Sequence, residues 1–294
     1  MPYQIKRSES VQHAVRRIAR EQLTKAIAEI DDSLLDRHKV IHQVRKRCKK
    51  LRGLIRLVRP ALGKTYGREN DALRDAAGLL SDLRDASVQI EVYDQLLAQY
   101  ASPAQREACK EIRQQLARRR ERIEGGEIDR CLAEFRQRIS AARARSSKWK
   151  LTASGFNALS GGLGKTHTRA RSSLQAVLED TTTITLHEWR KRIKYHGYHV
   201  RLLKGICPEL LKPYGQVLDR LGEALGDDHN IAVLQDTIAD MATHRSHQHE
   251  IEAFGKVLRR RRKKLQRAAI PRGQRVFAEP TTAFVKRLHK YWKL

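Results

Sequence analysis

The strongest constraint on this 294-residue chain is that part of its sequence occurs twice. Residues 41–52 read IHQVRKRCKKLR and residues 186–197 read LHEWRKRIKYHG. At an offset of 145, His42 aligns with His187, Arg45 with Arg190, Lys46 with Lys191, Arg47 with Arg192, Lys49 with Lys194, Arg56 with Arg201 and Leu57 with Leu202. The same offset, without a gap, carries 80–88 (LSDLRDASV) onto 225–233 (LGDDHNIAV), setting Leu80 on Leu225, Asp85 on Asn230 and Val88 on Val233. That period is far longer than a solenoid repeat, so it predicts a duplicated domain.

Each copy reads as helical. The chain has only 7 prolines, and good helix formers dominate. Apolar residues recur at spacings of three and four, and alternating strand patterns are absent. Helices are expected at 8–31, 33–59, 64–100, 103–146, 167–179, 183–206, 210–242, 245–268 and 281–292. Breaks are expected at Pro60, Gly63, Pro103, Pro208 and Pro271, with Gly125-Gly126 as a break or a kink. The glycine-rich stretch 151–165 reads as a flexible linker between repeats 1–150 and 166–294, and 271–280 as a second irregular piece. Each repeat has enough helix for a four-helix bundle. The fold class predicted is all-α, two four-helix bundles related by internal duplication.

The helix expected at 33–59 carries two stripes. Val40, Ile41, Val44, Cys48, Leu51, Ile55 and Val58 form an apolar one that should face a core. Beside it His38, His42, Arg45, Lys49, Arg52, Arg56 and Arg59 form a basic row along roughly 30 Å of helix. Lys46, Arg47 and Lys50 add charge. The second copy offers His187, Arg190, Lys194, Arg201 and Lys204, with Tyr198 between and with Lys191 and Arg192 alongside; Gly197 leaves one gap in the row. Like charges at i and i+4 repel by about 0.2–0.5 kcal/mol per pair, and a merely solubilising face mixes in acids. No acid interrupts this row, which points to an anionic partner.

Composition narrows the partner. Lys and Arg number 60 against 33 Asp and Glu, a formal charge of +27. The row is longer than a nucleotide triphosphate. Aromatic residues are only 5% of the chain, too few for base stacking along a single strand. A linear polyphosphate, with about one charge per phosphate and no bases, asks only for Arg forks and Lys charges. A backbone-directed nucleic-acid binder is the alternative reading, and a polyphosphate-processing enzyme a weaker one. No apolar run approaches the ~20 residues of a membrane span, so no membrane role is expected. Cys48, Cys109, Cys131 and Cys207 are scattered, and the N-terminus has no apolar core; both suit a reducing, cytoplasmic setting. The sequence sets no oligomeric state.

At these residues the chain resembles the CHAD family, the conserved histidine α-helical domain. The echoes are His42-x-x-Arg45-Lys46-x-x-Lys49-x-x-Arg52 with Leu80-x-x-Leu83-Arg84-Asp85-x-x-Val88, then Leu186-His187-Glu188-x-Arg190-Lys191-x-x-Lys194-Tyr195 with Leu225-Gly226-x-x-His229-Asn230-x-Ala232-Val233-Leu234. The resemblance implies paired four-helix bundles with pseudo-two-fold symmetry, a basic central groove or pore that binds inorganic polyphosphate, and association with polyphosphate granules. Asn230 departs from a commoner aspartate, and Gly197 from a basic or polar residue. No triphosphate tunnel domain is visible.

Other motifs weigh less. Gly161-Gly162-Leu163-Gly164-Lys165-Thr166 ends like a phosphate-binding loop, but Leu159 stands where that motif needs glycine. His38 with His42, and His244, His247 and His249, are poor metal candidates, since Arg45 and Lys49 would repel a cation from the first pair. Asp227-Asp228-His229 and Arg84-Asp85 read as capping or inter-helix hydrogen-bonding groups, and Arg259 to Lys264 as a basic run that could widen the anion surface, serve as a nuclear address or simply be solvated, the last being the default. No catalytic arrangement, cofactor site or metal site emerges, and the expectation is a binding protein, not an enzyme.

Overall fold

The computed structural model describes residues 3–241 and 248–294. Among the described residues regular structure is helical, with no strand. The helices are α1 (Val11–Asp31), α2 (Arg37–Leu57), α3 (Arg59–Leu62), α4 (Lys64–Gly78), α5 (Ser81–Tyr100), α6 (Pro103–Ala108), α7 (Lys110–Glu124) and α8 (Glu127–Ser146). They continue with α9 (Asn157–Glu179), α10 (Thr183–Leu203), α11 (Pro208–Met241), α12 (Gln248–Val276) and α13 (Thr281–Lys293). A 3-10 turn, Lys204–Ile206, joins α10 to α11.

Local chemistry sets the boundaries. The Ser10 side chain accepts the His13 N–H, Asp36 accepts the Lys39 N–H, and Ser102 and Thr182 each form a capping box. The Asp36 cap starts α2 four residues later than expected, and the helix stops at Leu57 because Val58 leaves helical geometry at φ −103°, ψ 17°. Arg59 therefore opens α3 instead of closing the row on α2, and Lys204 lies in the 3-10 turn beyond α10. The long helix expected at 64–100 breaks at Leu79-Leu80, and that at 103–146 breaks at Cys109 and at Gly125-Gly126. Gly126 adopts φ 85°, a left-handed turn that costs glycine no Cβ clash. Pro271 does not end α12, which runs on to Val276. The connection between α11 and α12, with His244 and His247, lies outside the described residues.

The flexible linker is overturned. From Asn157 the glycine-rich stretch is the first turns of α9. A Cβ on Gly162 would stand 2.0 Å from the Leu57 carbonyl oxygen and 2.4 Å from that of Arg56. Gly162 thus admits a neighbouring backbone, and Gly161 the Pro60 ring, 2.9 Å from its notional Cβ; neither supplies freedom.

In packing, α1 and α4 each lie against α2 and α8, while α10 and α12 each lie against α9 and α11. One large core joins residues as distant as Ile18, Leu54, Phe135, Trp189 and Phe284. A second joins Tyr93, Ile112 and Leu116 to Ile231, Phe254 and Leu258. Each core draws on both sides of position 150.

Candidate anion-binding surface

The two basic helices meet. A Cβ built on Gly53 of α2 would come within 2.8 Å of the Tyr198 Cβ on α10, and His199 Nε2 donates to the Gly53 carbonyl at 3.1 Å. Three residues further along α2, the Arg56 guanidinium lies 4.0 Å from the centroid of the Tyr195 ring, three residues back along α10. In the other direction Lys50 feels the charge of Arg201. The helices therefore run antiparallel, and the contacts step outward from Gly53 and Tyr198.

Beside this crossing lie the repeated cations. Arg45 Nη1 donates to the Ala77 carbonyl at 2.7 Å and to Ser81 Oγ at 2.8 Å, which holds its guanidinium against the α4–α5 junction. Its counterpart Arg190 packs on Gly226, the counterpart of Ser81, and its Nε is buried without a partner. Lys194 lies against Gly222, the counterpart of Ala77. Lys49 is exposed and feels positive charge from Arg45, Arg84 and Arg190, with Asp85 the opposing charge. Among the described residues Arg45, Lys49, Arg84, Arg190 and Lys194 form no ion pair.

Several expected members are engaged elsewhere. His38 Nε2 lies 3.5 Å from Glu124 of α7, Lys191 is 2.5 Å from Glu188, and Arg201 takes both oxygens of Asp219 at 2.6 and 2.8 Å. The acid-free row read along one helix thus acquires carboxylates from α7 and α11. Arg47 turns to Glu29 on α1 at 2.5 Å. Arg52 Nε donates to Asn70 Oδ1 at 3.3 Å, Lys50 lies over the Tyr3 ring at 5.5 Å, and Arg59 lies 4.9 Å over Tyr66. His42 and Lys46 remain exposed, and Lys204 is half-buried.

Sequence reasoning left Arg84 and His229 out of the candidate surface. Arg84 faces His42 electrostatically, and His229 places its ring 4.2 Å from that of His187. Since Arg84 and His229 are counterparts at the 145-residue offset, as are His42 and His187, the repeat itself held the signal. A cavity of about 180 Å³ beside His229 is lined by counterpart pairs Asp85 and Asn230, and Val88 and Val233.

Crowded positive charge and partial burial show in the titration of these groups. Desolvation first, then neighbouring cations, lower Lys49 to about 8, and the same causes lower Lys50 to about 8. Lys194 shifts down for the same reasons, and desolvation lowers Arg45, Arg84 and Arg190. His42 and His187 are lowered, and His229 falls to about 4, again with burial the leading cause. A free surface of this kind stores repulsion that an anion relieves.

The tail of the basic run is not wholly solvated. Arg262 Nε and Nη2 reach the Asp228 oxygens at 3.1 and 3.3 Å, and Gln266 adds a bond at 2.8 Å, so Asp228 ties α11 to α12. Among the described residues no three His, Cys, Asp or Glu side chains gather as a metal site, and no helix is long and apolar enough to cross a membrane.

A family model described as the CHAD domain matches residues 17–239. No curated protein matches the chain. Among solved structures, PptA from Streptomyces chartreusis is similar at a TM-score of 0.61 and 14% identity, over 91% of this chain and 99% of that one. At that identity the likeness concerns the fold.

Proposed function

The chain belongs to the CHAD domain family, and from that premise we propose that it binds long-chain inorganic polyphosphate in a groove shared by α2 and α10. One observation carries this reading: α2 seats directly on α10, with the Tyr198 side chain against Gly53 and the Arg56 guanidinium 4.0 Å from the Tyr195 ring centroid, so that the basic faces of both helices flank one crossing. Two cationic ridges at a common crossing suit a flexible chain of phosphates. Arg45, Lys46, Lys49, Arg52, Arg56 and His42 would serve from one side, Arg190, Lys194, Tyr198 and His187 from the other, with Arg84 and His229 added. Exposed pairs such as Arg201 with Asp219 are worth little, about 0–1 kcal/mol, so a polyanion competes for Arg201 effectively.

The counterpart packing of α1 on α2 and α8, matched by α9 on α10 and α13, and of α2 on α4, matched by α10 on α11, supports two helical bundles related by duplication. The role is binding without catalysis, in the cytoplasm and at polyphosphate granules. To test it, Lys49→Glu with Lys194→Glu, and separately Arg45→Glu with Arg190→Glu, are compared with wild type for retention of long-chain polyphosphate, with helicity monitored. Loss of retention at unchanged helicity is expected; full retention by both variants overturns the reading. Excess duplex DNA or RNA at fixed ionic strength should fail to displace the bound chain. Displacement would favour the nucleic-acid alternative.

A further inference from the structure

We propose that the outer face of α12 is a docking ridge for the phosphate backbone of duplex nucleic acid, a surface separate from the crossing of α2 and α10. The inner side of α12 is set by Phe254, Leu258, Leu265 and Ala269, all buried in the two cores. Two arginines of the basic run turn toward neighbouring helices: Arg262 bonds Asp228 and, at 3.0 Å, Thr183 Oγ1, and Arg261 lies 5.8 Å over the Tyr100 ring. Other cations point away. Lys256, Arg260, Lys263 and Arg267 are exposed and follow one another at intervals of 4, 3 and 4 residues, which lines them up opposite Leu258 and Leu265. At 1.5 Å per residue the line is roughly 17 Å long. Arg259 and Lys264, also exposed, flank it.

No carboxylate neutralises this face. The sequence has no Asp or Glu between Glu252 and Glu279, and Glu252 itself accepts from Gln248 Nε2 at 3.0 Å. Among the described residues none of Lys256, Arg259, Arg260, Lys263, Lys264 and Arg267 forms an ion pair. Arginines elsewhere on the surface are met by acids. Glu124, Glu127 and Glu134 answer Arg120, Arg130 and Arg138 on their own helices, and Asp94 and Asp31 answer Arg113 and Arg136 from neighbouring ones. A face that serves solubility mixes its charges in that second way. A row of like charges three and four residues apart repels itself, and a polyanion laid along it relieves the repulsion.

The chemistry of the ridge selects among polyanions. Helix α12 runs from Gln248 to Val276 and is packed on α11, α6 and α9, so its cations keep a fixed spacing that suits a stiff rod of phosphates. A duplex carries one charge per ~1.7 Å of its axis, so the ridge lies along roughly ten phosphates. No aromatic residue stands between Lys256 and Arg267 to stack an unpaired base. None of the exposed large apolar side chains described belongs to α12, which leaves no wedge for a lipid surface and no anchor for the core of a protein interface. Such contacts reach phosphates and not base edges, so binding without sequence preference is expected.

The test measures binding of the full chain to a short labelled DNA duplex by fluorescence anisotropy over a range of salt. One variant carries Lys256→Gln, Arg260→Gln, Lys263→Gln and Arg267→Gln. A control with the same loss of charge carries Lys64→Gln, Lys148→Gln, Lys150→Gln and Lys212→Gln, all exposed lysines outside α12. Helicity is followed in both. The α12 variant should bind the duplex at least about tenfold more weakly, with a salt slope flatter by about 0.9 for each contact removed, while the control changes little. Equal weakening in variant and control overturns the proposal, as does wild-type protein that fails to bind the duplex at low salt. The polyphosphate reading is scored apart: the α12 variant should still retain polyphosphate, and Lys49→Glu with Lys194→Glu should still bind the duplex. Duplex binding lost in that double variant and kept in the α12 variant would place the duplex in the groove and overturn the ridge. Equal loss of duplex and polyphosphate by the α12 variant overturns it too.

Discussion

The Tyr198 side chain of α10 lies against Gly53 of α2, a notional Gly53 Cβ standing only 2.8 Å from the Tyr198 Cβ, and the two residues are counterparts in the 145-residue repeat. The antiparallel crossing is therefore centred on equivalent positions. It brings Arg56 to Tyr195 on one side and Lys50 toward Arg201 on the other, pairs that are themselves exchanged by the repeat.

Gly53→Ala should accordingly destabilise the protein. Alanine normally improves a helix by up to about 1 kcal/mol over glycine, but here its methyl group has no room. A net loss of about 1–3 kcal/mol is expected from urea unfolding. Gly67→Ala on α4, where nothing lies within 4 Å of the new Cβ, should move the midpoint the other way.

Asp228 is 1% exposed and accepts from Arg262 and Gln266. Asp228→Ala leaves the Arg262 charge confined without its partner, which costs about 3–5 kcal/mol. A fall in the thermal midpoint is expected, whereas Arg260→Ala on the exposed side of α12 should leave it nearly unchanged.

Three buried histidines make stability depend on pH. Burial lowers His167 to about 4 and His199 to about 3, and holds His196 well below its ordinary value. Well above pH 6.5 neither folded nor unfolded chain protonates them. As pH falls from 6.5 toward 4 the unfolded chain takes up protons that the folded one refuses, so stability is lost at about 1.4 kcal/mol per pH unit for each histidine. Urea midpoints across that range check this; His199→Gln should remove one proton from the slope.

Ligand binding should carry the opposite proton linkage. His42, His187 and His229 are held low in the free protein by burial and by nearby cations. Phosphate beside them raises their values, so polyphosphate should bind more tightly as pH falls from 7 to 6. Calorimetry in two buffers of different ionisation heat should register proton uptake. Retention should also weaken steeply with salt, and the slope should flatten by about 0.7 for each contacting cation removed, as for single-stranded polyanions.

The amino-acid sequence by itself determined the helical class, the apolar stripe of α2 that became fully buried at Val40, Ile41, Val44, Cys48, Leu51 and Ile55, and the correspondence of the two basic helices. These follow from a 3.6-residue turn, a property of neighbours a few positions apart. Only the tertiary structure decided that Gly161 and Gly162 serve close packing instead of a linker, that Arg262 turns inward, and that Glu124 and Asp219 claim His38 and Arg201 while Lys49 and Arg190 stay without an ion pair. Ion pairing and desolvation depend on which side chains arrive within a few ångströms. For residues 86 positions apart, as His38 and Glu124 are, or 141, as Lys49 and Arg190 are, no local periodicity encodes that distance.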